Sequence, residues 1–186
     1  AQNTLLTLAI ITVFMGSMLA YKEKLLKRRL AYSTVSQVSY VLFGLFLLHP
    51  LGFLGALMQV VFHAVAKNIL FLGAGAIIYK TGKTFVYELK GLGKEMPIVM
   101  WTFAIASLSL IGIPPTAGFV SKWNLAQGGL QPDFGTLGLV GVAVLMVSAL
   151  LTAGYLLPIV SAAFFPGKDY DYGSLQKKEP NYLMTV

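Results

Sequence analysis

The chain contains no cysteine, which excludes disulfides and cysteine-ligated metals. Its two histidines, His49 and His63, are too few for a histidine cluster, so no metal site is expected. Charge is scarce as well: Asp, Glu, Lys and Arg together make up 11% of the residues, against about 25% in an ordinary soluble domain. The acidic residues Glu23, Glu88, Glu95, Asp133, Asp169, Asp171 and Glu179 all lie outside the long apolar runs. Ala1-Gln2-Asn3 lacks the basic n-region of a secretory signal peptide. There is no phosphate-binding loop, nucleophile motif or dinucleotide fingerprint, so no catalytic residue and no cofactor is expected. What fills the chain instead is apolar: 56% hydrophobic residues and a mean hydropathy of +0.74. That composition belongs to integral membrane proteins. With no water to satisfy the backbone, such a chain crosses lipid as helices.

The net charge of +7 points to nucleic acid only if its placement is ignored. Lys22, Lys24, Lys27, Arg28 and Arg29 separate the first two apolar runs, and Lys80, Lys83, Lys90 and Lys94 follow the third. Lys168, Lys177 and Lys178 lie in the tail. By the positive-inside rule these segments face the cytoplasm, and no nucleic-acid partner is implied. Only Lys67 and Lys122 depart from the pattern.

Five spans follow: 4–21, 30–48, 51–79, 97–127 and 134–165. They form a membrane domain over 1–165, with a cytoplasmic tail and the possible start of a further helix in 166–186. An unbroken helix over 51–79 would be roughly 44 Å long, against a hydrocarbon core of about 30 Å. Lys67 sits near its middle, about 18 Å from the nearer end, beyond the reach of a snorkelling side chain. A lysine at that depth costs about 3 kcal/mol by insertion scales, so a hydrated or polar interior must compensate. Gln59 and His63 precede it at one-turn intervals and make a polar stripe. His63 reads equally as a satisfied interior histidine, and Gln59 reads as a helix–helix hydrogen bonder because it cannot titrate.

The second span carries Tyr32, Ser33, Ser36, Gln37, Ser39 and Tyr40 in its cytoplasmic half, with Ser36, Gln37 and Tyr40 foremost. These are candidates to line a wet path, although small polar residues also serve close packing. In the fourth span Pro114 and Pro115 cannot donate backbone hydrogen bonds, which predicts a break near residues 113–116. Backbone freed at that depth must face protein or water, and interrupted helices recur at transporter sites. Lys122 follows two turns later beside Trp123, and by position reads as well as an interfacial anchor as a functional group.

Three segments, KRRLAYSTVSQVSYVLFGL (27–45), HAVAKNILFLGAG (63–75) and IGIPPTAGFVSKW (111–123), occur in the order and spacing of one superfamily. They resemble the antiporter-like subunits of respiratory complex I, membrane-bound hydrogenases and Mrp-type cation/proton antiporters. The resemblance implies one half-channel repeat of five helices, with the third and fourth spans broken. It implies that Lys67 is the central proton-relay residue, that Lys122 is the terminal one towards the outside, and that His63, where a histidine is often found, joins the relay. It implies sister membrane subunits as partners, protons or sodium as the ion, and an inner (cytoplasmic) or equivalent energy-coupling membrane. Any enzymatic activity would be that of an oxidoreductase or translocase complex of which this chain is the ion-translocating subunit. Leu25 and Leu26 stand where an acidic residue often precedes the basic pair, and Gln59 replaces a histidine found in some members. With a single repeat present and EPNYLMTV resembling the opening of another helix, the expectation is a fragment, a split gene product or a partial chain. The alternatives are an Mrp-type antiporter subunit and a structural membrane subunit without transport.

Overall fold

A computed structural model describes residues 1–167 and Pro180. Its helices are α1 (Gln2–Lys22), α2 (Leu26–Phe46), α3 (Pro50–Thr81), the short α4 (Leu92–Glu95), α5 (Pro97–Ile111), α6 (Ala117–Gly129) and α7 (Gly135–Phe164). No β-strand is formed among the described residues, apart from an isolated bridge between Leu25 and Phe85. α1, α3 and the stretch Pro132–Phe164 are long and apolar enough to cross a membrane. α2 is as long as α1 at 21 residues, but its serines, Gln37 and basic first turn make it more polar. α5 and α6 are the two pieces of the fourth span. The tail beyond Gly167 lies outside the described residues, Pro180 excepted.

Two expectations are corrected. The third span is not broken: α3 is one helix of 32 residues. Gly73 has room for a methyl group and Gly75 has nothing near it. Neither position carries a proline or positive backbone φ that would interrupt the ladder. Further, Lys27, Arg28 and Arg29 belong to the first turn of α2 rather than to a loop. α2 starts early because Leu25 and Leu26 are held by the 84–86 segment: Leu26 N–H donates to Thr84 O at 3.0 Å and Val86 N–H to Lys24 O at 3.0 Å. Cations are unfavourable at a helix N-terminus, yet Arg29 is satisfied by carbonyls. Its guanidinium donates to Glu23 O at 2.8 Å and, across the bundle, to Tyr155 O at 3.1 Å, one turn before Pro158 in α7.

The 22–29 and 80–96 segments therefore share one end of the bundle, as the charge pattern predicts. At the other end the Gln2 side chain donates to Phe46 O at 2.9 Å, near His49, whose side chain caps α3, and Pro50, which opens it.

α1 packs on α2 and α7, and α3 on α2, α5 and α6. Two apolar clusters form the core. One, at the basic end, contains Leu26, Leu30, Leu70, Met100, Phe103 and Tyr155. The other contains Leu6, Val13, Tyr40, Phe43, Leu125 and Leu145. Between them the helices turn polar inside: Ser17 on α1, Ser33, Ser36, Gln37 and Ser39 on α2, Gln59 and His63 on α3, Ser148 and Thr152 on α7. Lys67 lies at the edge of this layer.

Candidate functional site

The polar layer holds two ammonium groups. Lys67 is buried, with 6% of its surface exposed. Its Nζ turns across to α2, donating to Leu30 O at 2.7 Å and to the Ser33 hydroxyl, and lies 5.8 Å from the Phe71 ring centroid. Ser33, one of the hydroxyls in the polar half of the second span, is thus the side-chain partner of Lys67. It precedes Gln37 by one turn on the same face.

Lys122 meets a different environment. α5 ends at Gly112, whose φ of 88° lies in the left-handed region that glycine tolerates. Pro114-Pro115 then prevents the helix from resuming before Thr116. The break is where the prolines predict it. It frees the last carbonyls of α5, and Lys122 Nζ returns from α6 to satisfy them, donating to Leu110 O at 2.6 Å and Ile111 O at 2.8 Å. A cation at a helix C-terminus also complements the helix dipole. Close approach makes this reach feasible: a side chain on Gly118 would collide with the Ser109 carbonyl. The Tyr40 ring lies 5.4 Å from Nζ. Trp123 stays 54% exposed, while Lys122 turns inward.

His63 lies one turn from Lys67 and lines, with Gln59, Ser109, Gly118 and Lys122, a small gap of about 10 Å³, roughly the size of one water. Next to this gap Gln59 donates to Gln37 at 2.8 Å and accepts from Ser121 at 2.5 Å, joining α2, α3 and α6. Three buried polar atoms in this region find no protein partner: His63 Nδ1, Gln37 Nε2 and Ser107 Oγ. Such groups are rare in folded proteins and are ordinarily met by water or ions.

Two candidate residues fall elsewhere. Ser36 faces α1 and α7, in a cluster with Ser17 at 2.7 Å and Ser148 at 3.2 Å, and donates to Val13 O at 3.0 Å. It is not brought to Lys67. The Tyr40 hydroxyl donates to Leu145 O at 2.8 Å, so only its ring addresses Lys122. Pro114 and Pro115 shape the break, and their side chains have no further role there.

Among the described residues no carboxylate pairs with either lysine; the ion pair formed is Arg28–Glu23, 3.8 Å apart at the basic end. Residues 1–159 match the family described as "NADH:quinone oxidoreductase/Mrp antiporter, TM". The chain belongs to this family. It is 43% identical over 155 residues to NADH-quinone oxidoreductase subunit N of Desulforudis audaxviator, a match covering 83% of this chain and 30% of the relative. It is 36% identical over 164 residues to a Na(+)/H(+) antiporter subunit of Alkalihalophilus pseudofirmus, covering 88% and 32%. In three dimensions it resembles a chain of the Mrp complex from Dietzia sp. with a TM-score of 0.80 at 30% identity, covering 96% of this chain and 34% of that one. The chain thus spans about a third of the length of the relatives it matches. It is a multi-pass, all-helical membrane protein of the antiporter-like class, as its three motifs indicate.

Proposed function

We propose that this chain carries one half-channel for ions, most simply protons, through the membrane part of a multi-subunit complex in an inner (cytoplasmic) or equivalent energy-coupling membrane. The observation that carries the reading is the pair of inward-turned lysines with His63 between them, without a carboxylate partner among the described residues, and with orphaned polar atoms around them. Ser33 and water lead from the basic end to Lys67. His63 and the gap it lines lead on to Lys122. Lysine can give up its proton and arginine in practice cannot, which makes lysine suited to a relay. The family membership supports translocation, and the relatives include both quinone oxidoreductase and sodium/proton antiporter subunits. Sister membrane subunits and either a redox reaction or an opposing gradient would supply the drive.

The test is proton translocation in vesicles holding the complex that contains this chain, normalised to assembled complex. Lys67→Ala and Lys67→Arg should both assemble and translocate at least tenfold less. Lys67→His should restore part of the rate, because imidazole titrates in the useful range. Full translocation by Lys67→Ala would leave only the reading of a structural subunit, in which these groups merely pack.

A further inference from the structure

At the basic end, away from both lysines of the site, α1 finishes against the start of α2 and the 82–91 segment. The junction leaves a hollow of about 400 Å³ lined by Leu19, Lys22, Glu23, Lys24, Leu25, Tyr32 and Phe85. Its lining is apolar at Leu19, Leu25 and Phe85 and carries two ammonium groups, Lys22 and Lys24, against one carboxylate, Glu23. That carboxylate keeps its negative charge, but it is turned onto two backbone N–H groups and Arg28 rather than onto either ammonium group. Oε1 accepts the Lys24 N–H at 2.9 Å and the Leu25 N–H at 3.1 Å, and Oε2 faces Arg28 at 3.8 Å. The Leu25 and Lys24 N–H groups hold this carboxyl below the usual carboxylate range, so it stays in that role. Lys22 and Lys24 have no ion-pair partner among the described residues. Tyr32 stands in the same hollow.

A second observation extends the hollow along the helix. Leu19, Met15, Ile11 and Leu8 lie on one exposed stripe of α1, at 42%, 51%, 53% and 56% exposure. From Leu8 to Leu19 the stripe rises about 17 Å, close to one leaflet of a hydrocarbon core about 30 Å thick. An acyl chain against that stripe and a phosphodiester between the two ammonium groups have the dimensions and the charge of a single molecule.

We propose that this hollow binds an anionic glycerophospholipid, with its phosphodiester between Lys22 and Lys24 and the Tyr32 hydroxyl and one acyl chain along Leu19–Met15–Ile11–Leu8. The placement rests on the orientation that the basic residues give the chain, with the basic end at the leaflet where anionic lipids concentrate. The occupied hollow would tie α1 to the segment that Leu25 and Phe85 join, bracing the end of the bundle from which Ser33 and Lys67 are reached.

The experiment is native mass spectrometry of the assembled complex after incubation with equal amounts of phosphatidylglycerol and phosphatidylcholine. Wild type should retain phosphatidylglycerol at least fivefold over phosphatidylcholine. Lys22→Gln with Lys24→Gln should bring that preference below twofold, whereas Lys22→Arg with Lys24→Arg should keep it. Lys80→Gln with Lys83→Gln removes charge from the same end outside the hollow and should also keep it. Equal loss in this control would show diffuse surface attraction, and unchanged retention by the Lys22/Lys24 glutamine variant would show another site; either overturns the proposal. So would displacement of the lipid by glycerol phosphate at the same concentration, or capture of a protein subunit instead of lipid by a photo-crosslinker at Leu19. Lipid retention is independent of transport: a Lys67→Ala complex should still hold the lipid, so the two readings fail separately.

Discussion

α3 and the α5–α6 pair bury the same side chain in opposite ways. α3 runs unbroken for 32 residues and has no free backbone to offer Lys67, so the ammonium must leave its own helix and use α2. There it meets Leu30 O, which also accepts the Ser33 and Thr34 hydroxyls at 2.9 and 3.1 Å. α5–α6 is interrupted, and Lys122 satisfies the carbonyls that the interruption itself creates. Lys67 is therefore an addition to a backbone that is complete without it. Lys122 completes a backbone that would otherwise be deficient. Two buried lysines of the same site differ in what their loss should cost.

The largest expected effect tests the break itself. Gly118→Val sets a branched side chain against the Ser109 carbonyl, which is backbone and cannot swing aside. α6 should fail to dock on the end of α5, and assembled complex should fall more than tenfold on a native gel. Normal assembly would show that the close approach is not required.

The next effect separates the lysines. Lys122→Ala leaves the α5 carbonyls without a charged donor and should cost about 1.5–3 kcal/mol, the range for hydrogen bonds to charged groups, read as a lowered thermal midpoint in detergent. Lys122→Arg should recover most of that stability without recovering translocation. Lys67→Ala should lower stability by less than about 1 kcal/mol, since Leu30 O keeps its other donors. Equal destabilisation by the two alanine variants would erase the distinction drawn between them.

The smallest effect distinguishes the hydroxyls of α2. Ser33→Ala removes the side-chain partner of Lys67 and should slow translocation roughly three- to tenfold, an energy of about 1 kcal/mol or slightly more, with assembly intact. Ser36→Ala should disturb the Ser17–Ser148 cluster and leave the normalised rate within twofold. A reversed order would restore Ser36 to the path and remove Ser33 from it.

Much of this was legible before folding. The helices end close to the limits of the apolar runs, basic residues marked a common end, and Pro114-Pro115 marked the break, because these are local properties of composition and backbone chemistry. The break expected in α3 came from the resemblance, and its own residues carry neither an internal proline nor a positive φ to impose one. Ser33 and Ser36 were not separable. At about 100° per residue they stand only about 60° apart around α2, and which neighbour each meets depends on where α1, α3 and α7 lie. Arg29 counted only as a marker of the inner side, whereas the fold turns it onto Glu23 and Tyr155.

By itself, then, the sequence determined that the chain is a helical membrane protein, where its apolar runs lie, and that one lysine, Lys67, lies deep enough to require compensation, while Lys122 read equally as an interfacial anchor. Those follow from transfer energies and backbone hydrogen bonding, which act along the chain. The tertiary structure alone decided what compensates each lysine: a neighbouring helix for Lys67, and a helix end across a proline break for Lys122. It also decided that the polar residues of four helices fall into one layer between two apolar clusters. Hydrogen-bond partners are chosen within about 3 Å in space, and periodicity along a helix supplies a direction without the neighbour that stands there.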